Sequence, residues 1–191
     1  MKNLIIIFLM LIGVGLYSQE SIYFKGGLGL TSFVSKMKDV KGSQIAGFEL
    51  EVQTREHLAA TLSAQYQSGG MKYLITKKND LKETAHYINT YLGARYIVNN
   101  RLFVSGGTYI GFHIKSSIEK MNNDFEDSYF DNYPDYTNDD FGLFLNLGVS
   151  NPSRSVYGYT QFESGIINVK GIQNGIMSKR QTVSISIAFR L

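Results

Sequence analysis

The sequence predicts an all-β fold, namely an eight-stranded antiparallel up-and-down transmembrane β-barrel. Three observations predict it: apolar residues alternate with small or polar ones along eight segments, short and long connections alternate between them, and the polar positions carry few charges. The last segment, QTVSISIAFRL (residues 181–191), shows the pattern most simply, because every second residue from Val183 to Leu191 is large and apolar. Successive side chains of a strand point to opposite faces, so this strand has one apolar and one polar face.

The composition fits a single domain with long strands. The 191 residues include 13 Tyr, 12 Phe and 19 Gly but only 2 Pro. Aromatic residues fit pleated surfaces, whereas proline would remove ladder hydrogen bonds. The chain has no cysteine, which excludes disulfides and thiolate metal sites, and its net charge of +3 is too small to indicate a nucleic-acid partner. We expect no cofactor.

The first 18 residues predict a secretory signal peptide. Lys2 precedes an apolar run that begins at Leu4, small residues follow, and polarity begins at Gln19. The run is shorter than the ~20 apolar residues of a membrane-spanning helix. We therefore expect cleavage after Ser18 and a barrel domain at 19–191, with an uncleaved anchor helix as the alternative.

Period-2 alternation covers most of the mature chain, and no long window has helical periodicity. Several segments are longer than a usual soluble strand and match the ~9–11 tilted residues that cross a bilayer. The predicted strands are 21–34, 43–54, 57–69, 83–98, 102–118, 140–150, 155–169 and 180–191. From the second strand onward, every second residue of each strand belongs to its apolar face. These alternating apolar positions extend from Ala46 to Val52, Leu58 to Tyr66, Ile88 to Tyr96, Leu102 to Phe112, Phe141 to Val149, Val156 to Ile166 and Val183 to Leu191.

The polar parity predicts which face is inside. It is rich in Gly, Ala, Ser, Thr, Asn and Gln, whereas a water-exposed face would carry many more Lys and Glu. The apolar face therefore contacts lipid, where a sheet must close because it cannot leave backbone groups unpaired. Eight strands are too few for a wide channel. Because unpaired buried charges are costly, the inward charges are expected to form a salt-bridge network in the lumen: Lys25, Glu49, Glu51, Arg95, Glu163 and Arg190.

The connections support this topology independently. Short turns are predicted near 55–57, 99–101 and 151–154, and longer connections at about 35–42, 70–82, 119–139 and 170–179. Outer-membrane barrels alternate in this way, with tight periplasmic turns and longer external loops. Strands four and five share an even apolar parity, which requires an odd turn such as Asn99–Arg101. Strands six and seven have opposite parities, which requires an even turn such as Asn151–Arg154.

The chain resembles the outer membrane protein β-barrel domain group of Bacteroidetes, a PorT-like or small OmpA-like set of eight-stranded barrels. The similarity lies in YSQE at the signal end, FKGGLGL (Phe24–Leu30), YLGARYIVNNRLFVSGG (Tyr91–Gly107) and the terminal SISIAFRL. It implies a Gram-negative outer-membrane location and suggests secretion or motility machinery as one setting. The chain departs from the family pattern at its end, where Phe189 stands third from last and Leu191 is final.

The connection at 119–139 is the most distinctive. It clusters acidic and aromatic residues, among them Asp124, Glu126, Asp127, Asp131, Asp135, Tyr129, Phe130 and Tyr133. Three interpretations stay open: a solvated loop that folds over the barrel mouth, an anchor for a protein partner, and a Ca²⁺ site without the EF-hand spacing. The other long connections are basic and suit either lipopolysaccharide phosphates or this acidic loop.

Enzymatic activity is not expected. Some small barrels modify lipid A, but here His57 lies in a short turn, while parity places His86 on the lipid side and His113 on the lumen side. A hydrolytic site needs its base within hydrogen-bond reach of a nucleophile. The expected role is structural or interactive: envelope integrity, attachment, or an accessory subunit of a surface or secretion complex, among outer-membrane lipids. The alternatives are a soluble periplasmic lipocalin-like barrel with an apolar ligand and a lipid A-modifying enzyme.

Overall fold

The computed structural model describes residues 19–34, 41–76, 79–99, 101–120, 139–166, 169–170 and 177–191. The signal-peptide prediction and the acidic and aromatic residues between 121 and 138 lie outside this part. The strands are β1 (Gln19–Val34), β2 (Lys41–Arg55), β3 (Leu58–Thr76), β4 (Asn79–Ile97), β5 (Leu102–Lys120), β6 (Asp140–Ser150), β7 (Val156–Gly165), β8 (Val169–Lys170) and β9 (Met177–Arg190). Within the described residues, no helix has the length and apolarity to cross a membrane.

The sheet closes on itself. Each long strand pairs antiparallel with the next along the chain, β7 pairs with β9, and β9 pairs with β1. Leu28, for example, lies opposite Gln44 on one side and Ile185 on the other. The two-residue β8 only extends the beginning of β9. The barrel wall therefore consists of β1–β7 and β9, and the predicted eight-stranded antiparallel barrel is confirmed.

One predicted connection is wrong. Residues 70–82 were expected to form a long loop, but β3 continues to Thr76 and β4 begins at Asn79, with Leu74 opposite Asp80. The backbone ladder continues after the regular alternation of apolar and polar residues has ended. The prediction relied on that alternation, which lipid contact imposes only where a strand faces the membrane. The seventh strand also ends earlier than predicted, at Gly165 instead of residue 169.

The β4–β5 and β6–β7 turns have the predicted parities, and the β2–β3 turn does not. Val98 N–H donates to the Leu102 carbonyl at 2.9 Å, so three residues connect β4 to β5. Asn151 and Val156 are joined in the same way, which leaves a four-residue turn that starts one residue later than predicted. The β2–β3 turn has two residues, not three. A bulge at Thr54 adds the missing residue and keeps the faces of β2 and β3 aligned.

The apolar parity forms the exterior and the polar parity fills the interior. Leu28, Leu143 and Ile185 are 70%, 52% and 68% exposed, whereas Glu49 and Arg95 are each only 4% exposed. Glycines on the inner face make room for aromatic rings. A Cβ on Gly93 would lie 2.7 Å from Cζ of Phe144, so this ring fits only where a side chain is missing.

Candidate functional site in the barrel interior

The lumen contains two clusters of charged side chains, one towards each end. We call the end that carries the β2–β3, β4–β5 and β6–β7 turns the short-turn end, and the other the opposite end. The Arg95 network lies towards the short-turn end, and the Arg180 network lies towards the opposite end.

The Arg95 network consists of Lys25, Glu49, Glu51, Arg95 and Tyr157. The Arg95 guanidinium contacts Glu49 Oε1 through Nη2 at 2.5 Å and Glu51 through Nη1. Tyr157 Oη donates to Glu49 Oε1 at 2.6 Å, and Lys25 Nζ lies 3.5 Å from Glu49 Oε2. All five side chains are buried, so each charge is neutralised by a neighbour instead of by water.

Local sequence explains how Arg95 reaches carboxylates on β2, although β3 lies between β2 and β4. Arg95 is opposite Ala59 on β3 and Ser105 on β5, and both are small. The guanidinium therefore extends over them into the lumen. It lies over the rings of Phe103 and Tyr157, at 4.4 and 4.6 Å from their centroids, which adds cation–π attraction to the ion pairs.

The Arg180 network consists of Asn89, Tyr109, Asp140, Glu163 and Arg180. Arg180 Nε lies 2.7 Å from Asp140 Oδ2, and its Nη2 donates to Asn89 Oδ1 at 3.1 Å. Tyr109 Oη donates to Asp140 Oδ2 at 2.8 Å, and Glu163 Oε2 lies 3.8 Å from Arg180 Nη2. Arg180 and Asp140 are 1% and 0% exposed.

Tyr91 connects the two networks through the middle of the barrel. Its hydroxyl donates to Glu163 Oε1 at 2.6 Å, and Lys25 Nζ lies 5.3 Å from its ring centroid. Lys25 also donates to Ser63 Oγ at 2.9 Å. Gln65 donates to the Tyr91 hydroxyl as well. These contacts form a continuous chain of packed polar side chains along the described interior.

Five of the six inward charges named from the sequence are buried in the interior, and the sixth is not. Lys25, Glu49, Glu51 and Arg95 meet in one network, whereas Glu163 belongs to the other. The placement of Arg190 within the lumen network is wrong, because its side chain is exposed. Arg190 has the inward parity, but it is the last residue of β9, where the barrel opens to water.

Two central residues were missed. Arg180 and Asp140 are the first residues of the predicted strands 180–191 and 140–150, but neither was named among the inward charges, and both point inward. The sequence did contain a signal for each. Arg180 shares the even parity of Thr182 and Ser184, and Asp140 shares the parity of Gly142. Extending each strand's parity to its first residue would have identified both.

The mouth at the short-turn end contains a cavity of about 400 Å³. Tyr23, Glu51, Arg154 and Arg190 are among its lining residues. Arg154 adopts a left-handed backbone conformation, with φ of 53°, and its carbonyl accepts a hydrogen bond from Tyr23 Oη at 3.0 Å. The cavity ends against the buried Arg95 network.

The histidines do not converge. His57 lies in the β2–β3 turn, where its Nδ1 is 3.1 Å from the carbonyl oxygen of Ile97 at the end of β4. His86 is on the exterior and pairs with Tyr66, whereas His113 packs against the buried ring of Tyr87. Among the described residues, no group of three or more His, Cys, Asp or Glu side chains is placed to hold a metal ion.

The polarity of the interior decides between the two barrel classes. A lipocalin-like carrier needs an apolar lumen, but here buried charges and amides occupy it while leucines and isoleucines face outward. The lipocalin-like alternative is therefore wrong.

Comparison with known families gives the same result. The family model described as "Outer membrane protein beta-barrel domain" matches residues 4–178. The chain belongs to this family. As an outer membrane β-barrel protein, it combines an apolar exterior for lipid with a filled polar interior. No curated protein matches the chain.

Several solved outer-membrane barrels have a similar fold. The attachment invasion locus protein Ail of Yersinia pestis, in complex with the heparin analogue sucrose octasulfate, is 12% identical with a TM-score of 0.49, and the alignment covers 91% of this chain and 99% of Ail. The N-terminal β-barrel domain of Pseudomonas aeruginosa OprF is 10% identical with a TM-score of 0.46, covering 91% and 99%. Neisserial surface protein A is 9% identical with a TM-score of 0.47, covering 90% and 97%. At these identities the likeness concerns the fold alone.

Proposed function

We propose that this outer membrane β-barrel protein has a structural or protein-interaction role and is neither a pore nor an enzyme. The carrying observation is the continuous contact between the Arg95 and Arg180 networks through Tyr91. A pore needs a hydrated path, whereas these side chains bond to one another and leave little water-accessible surface. The work of the protein therefore falls to its surfaces, as part of envelope integrity, attachment or a larger complex.

Conductance in planar lipid bilayers tests the absence of a pore. We expect no stable conductance steps from the purified protein. A double variant, Arg95→Ala with Tyr157→Ala, is the positive control for conductance, because it removes two large side chains from the Arg95 network. Frequent, uniform conductance steps from the unmodified protein would refute the proposal.

The acidic loop is the proposed contact for a protein partner. Its aromatic residues are of the kind that anchor interfaces, and its carboxylates would select a basic partner. The Ca²⁺ interpretation is an alternative that calorimetry with Ca²⁺ can exclude. The basic connections are proposed to face lipopolysaccharide. The PorT-like resemblance within Bacteroidetes suggests that such a partner belongs to secretion or motility machinery.

Site-specific photocrosslinking in intact cells tests the partner. A photoreactive amino acid at Tyr129 should give a discrete adduct, and the same amino acid at Glu56, in a short turn, should not give that adduct. Absence of any discrete adduct from Tyr129, Phe130 and Tyr133 would refute the loop as the contact. An adduct that forms equally from Glu56 would show that crosslinking follows proximity in the envelope and not a loop interface.

A further inference from the structure

A row of polar side chains crosses the exterior of the barrel near the opposite end. The strand register places Gln44 of β2 opposite Ser68 of β3, Ser68 opposite His86 of β4, and His86 opposite Lys115 of β5. We call these four residues the polar row. The next exterior residues towards the short-turn end include Ile88, which is 46% exposed and begins the apolar surface. The polar row therefore marks the border of the lipid-facing belt.

A bulge in β5 brings Lys115 into this row. Tyr87 lies opposite His113, but the next residue on β4, His86, lies opposite Lys115, so Ile114 is an extra residue. Without the bulge, Ile114 would be opposite His86 and Lys115 would share the inward parity of His113. The bulge places the Lys115 ammonium group on the exterior beside the imidazole, where the side chain is exposed.

The His86 ring is held in place from the other side. Tyr66 Oη lies 2.5 Å from His86 Nδ1, and the two rings stack with centroids 5.8 Å apart at 26°. Nδ1 is therefore occupied, and Nε2 is the ring nitrogen that remains for a ligand. Tyr66 is 39% exposed and has the place of an interfacial aromatic residue at the edge of the lipid belt.

We propose that His86 and Lys115 bind the phosphate group of a lipid A molecule in the outer leaflet. Basic side chains at the membrane border lie at the level of the lipid head groups and can bind their phosphates. A phosphate suits this pair, because Lys115 supplies a positive charge and the His86 ring can donate a hydrogen bond from Nε2 when Nδ1 accepts one from Tyr66. The exposed Ile88 and Phe112 lie next to the row towards the membrane centre and offer a surface for acyl chains. An amphiphile with a phosphate at the border and hydrocarbon below it fits both features.

This proposal rests on the outer-membrane placement of the barrel and not on its structural or partner role. The test uses the full barrel in nanodiscs of phosphatidylcholine that contain either bisphosphorylated lipid A or lipid A without phosphates. Native mass spectrometry then measures which lipid stays bound after transfer to detergent. We expect the unmodified protein to retain bisphosphorylated lipid A and to release the phosphate-free form.

Lys115→Gln should weaken retention by about tenfold, the effect of losing one charge-assisted hydrogen bond. Lys115→Arg keeps the charge and should restore retention. Arg101→Gln is the control, because Arg101 is an exposed cation in the β4–β5 turn, at the short-turn end and away from the polar row. This variant should retain lipid A within about twofold of the unmodified protein, because a solvent-exposed charge is screened by salt and contributes little to binding.

Equal losses in Lys115→Gln and Arg101→Gln would overturn the proposal, since they would indicate general electrostatic attraction. Equal retention of phosphate-free lipid A would overturn it too. Folding is checked by heat-dependent gel mobility, and if Lys115→Gln does not fold, His86→Gln replaces it with the same expected loss. A conducting barrel or a missing crosslink would refute the proposed function without changing lipid retention, so the two failures are distinguishable.

Discussion

Replacing Arg95 with glutamine should destabilise the barrel more than any change to an exposed charge. Arg95 is the main partner of both Glu49 and Glu51, and the substitution leaves two buried carboxylates with Lys25 as the only cation of the Arg95 network. Removing one member of a buried ion pair typically costs about 3–5 kcal/mol. Loss of the stacking over Phe103 adds to this cost. Hydration of Glu51 from the mouth cavity reduces it, so we expect a loss of about 4 kcal/mol.

The assay is reversible urea unfolding in lipid vesicles, followed by tyrosine fluorescence and gel mobility. Arg101→Gln is the matched control, because Arg101 is exposed in the β4–β5 turn, and it should change the free energy of unfolding by less than about 0.5 kcal/mol. A double-mutant cycle with Glu49→Gln should show a coupling of about 1 kcal/mol or more. If Arg95→Gln costs no more than Arg101→Gln, or if the cycle shows no coupling, the buried network does not stabilise the fold.

Three further predictions concern other parts of the chain. Gly93→Ala should cost about 1–3 kcal/mol of unfolding free energy, because the new Cβ meets the Phe144 ring, whereas Gly42→Ala, with nothing within 4 Å, should be neutral in the same unfolding assay. Leu145→Arg places a charge at the middle of an exterior strand and should cost about 2–4 kcal/mol in vesicles, and a cost close to zero would contradict the lipid-facing assignment. Signal cleavage after Ser18 should leave Gln19 as the first residue, which intact-mass measurement of the membrane-extracted protein checks; retention of residues 1–18 would refute it.

Much of the barrel follows from local chemistry. The period of two in a strand fixes which side chains share a face, and the membrane requires that the apolar face point outward. This explains why the sequence predicts Leu143 and Ile185 on the outside and Glu49 and Arg95 on the inside, where the structure has them. For the β4–β5 and β6–β7 turns, the parity of the flanking strands also predicted whether the turn has an odd or even number of residues. These features depend on near neighbours in the chain, and the sequence shows those neighbours directly.

The partners of each charge could not be found in this way. Arg95 joins β4 to carboxylates on β2 across a strand, and Arg180 joins the beginning of β9 to Asp140 on β6. Such meetings depend on the register of every intervening strand pair and on small residues, such as Ala59, that leave room in the lumen. The sequence alone determined the faces of the strands, the closed eight-stranded sheet and the inward parity of most charges. Only the tertiary structure decided the two networks, the exposure of Arg190 and the bulge that places Lys115 on the exterior. The physical reason is that the stagger between neighbouring strands accumulates around a closed barrel, and the sequence of a single strand does not show it.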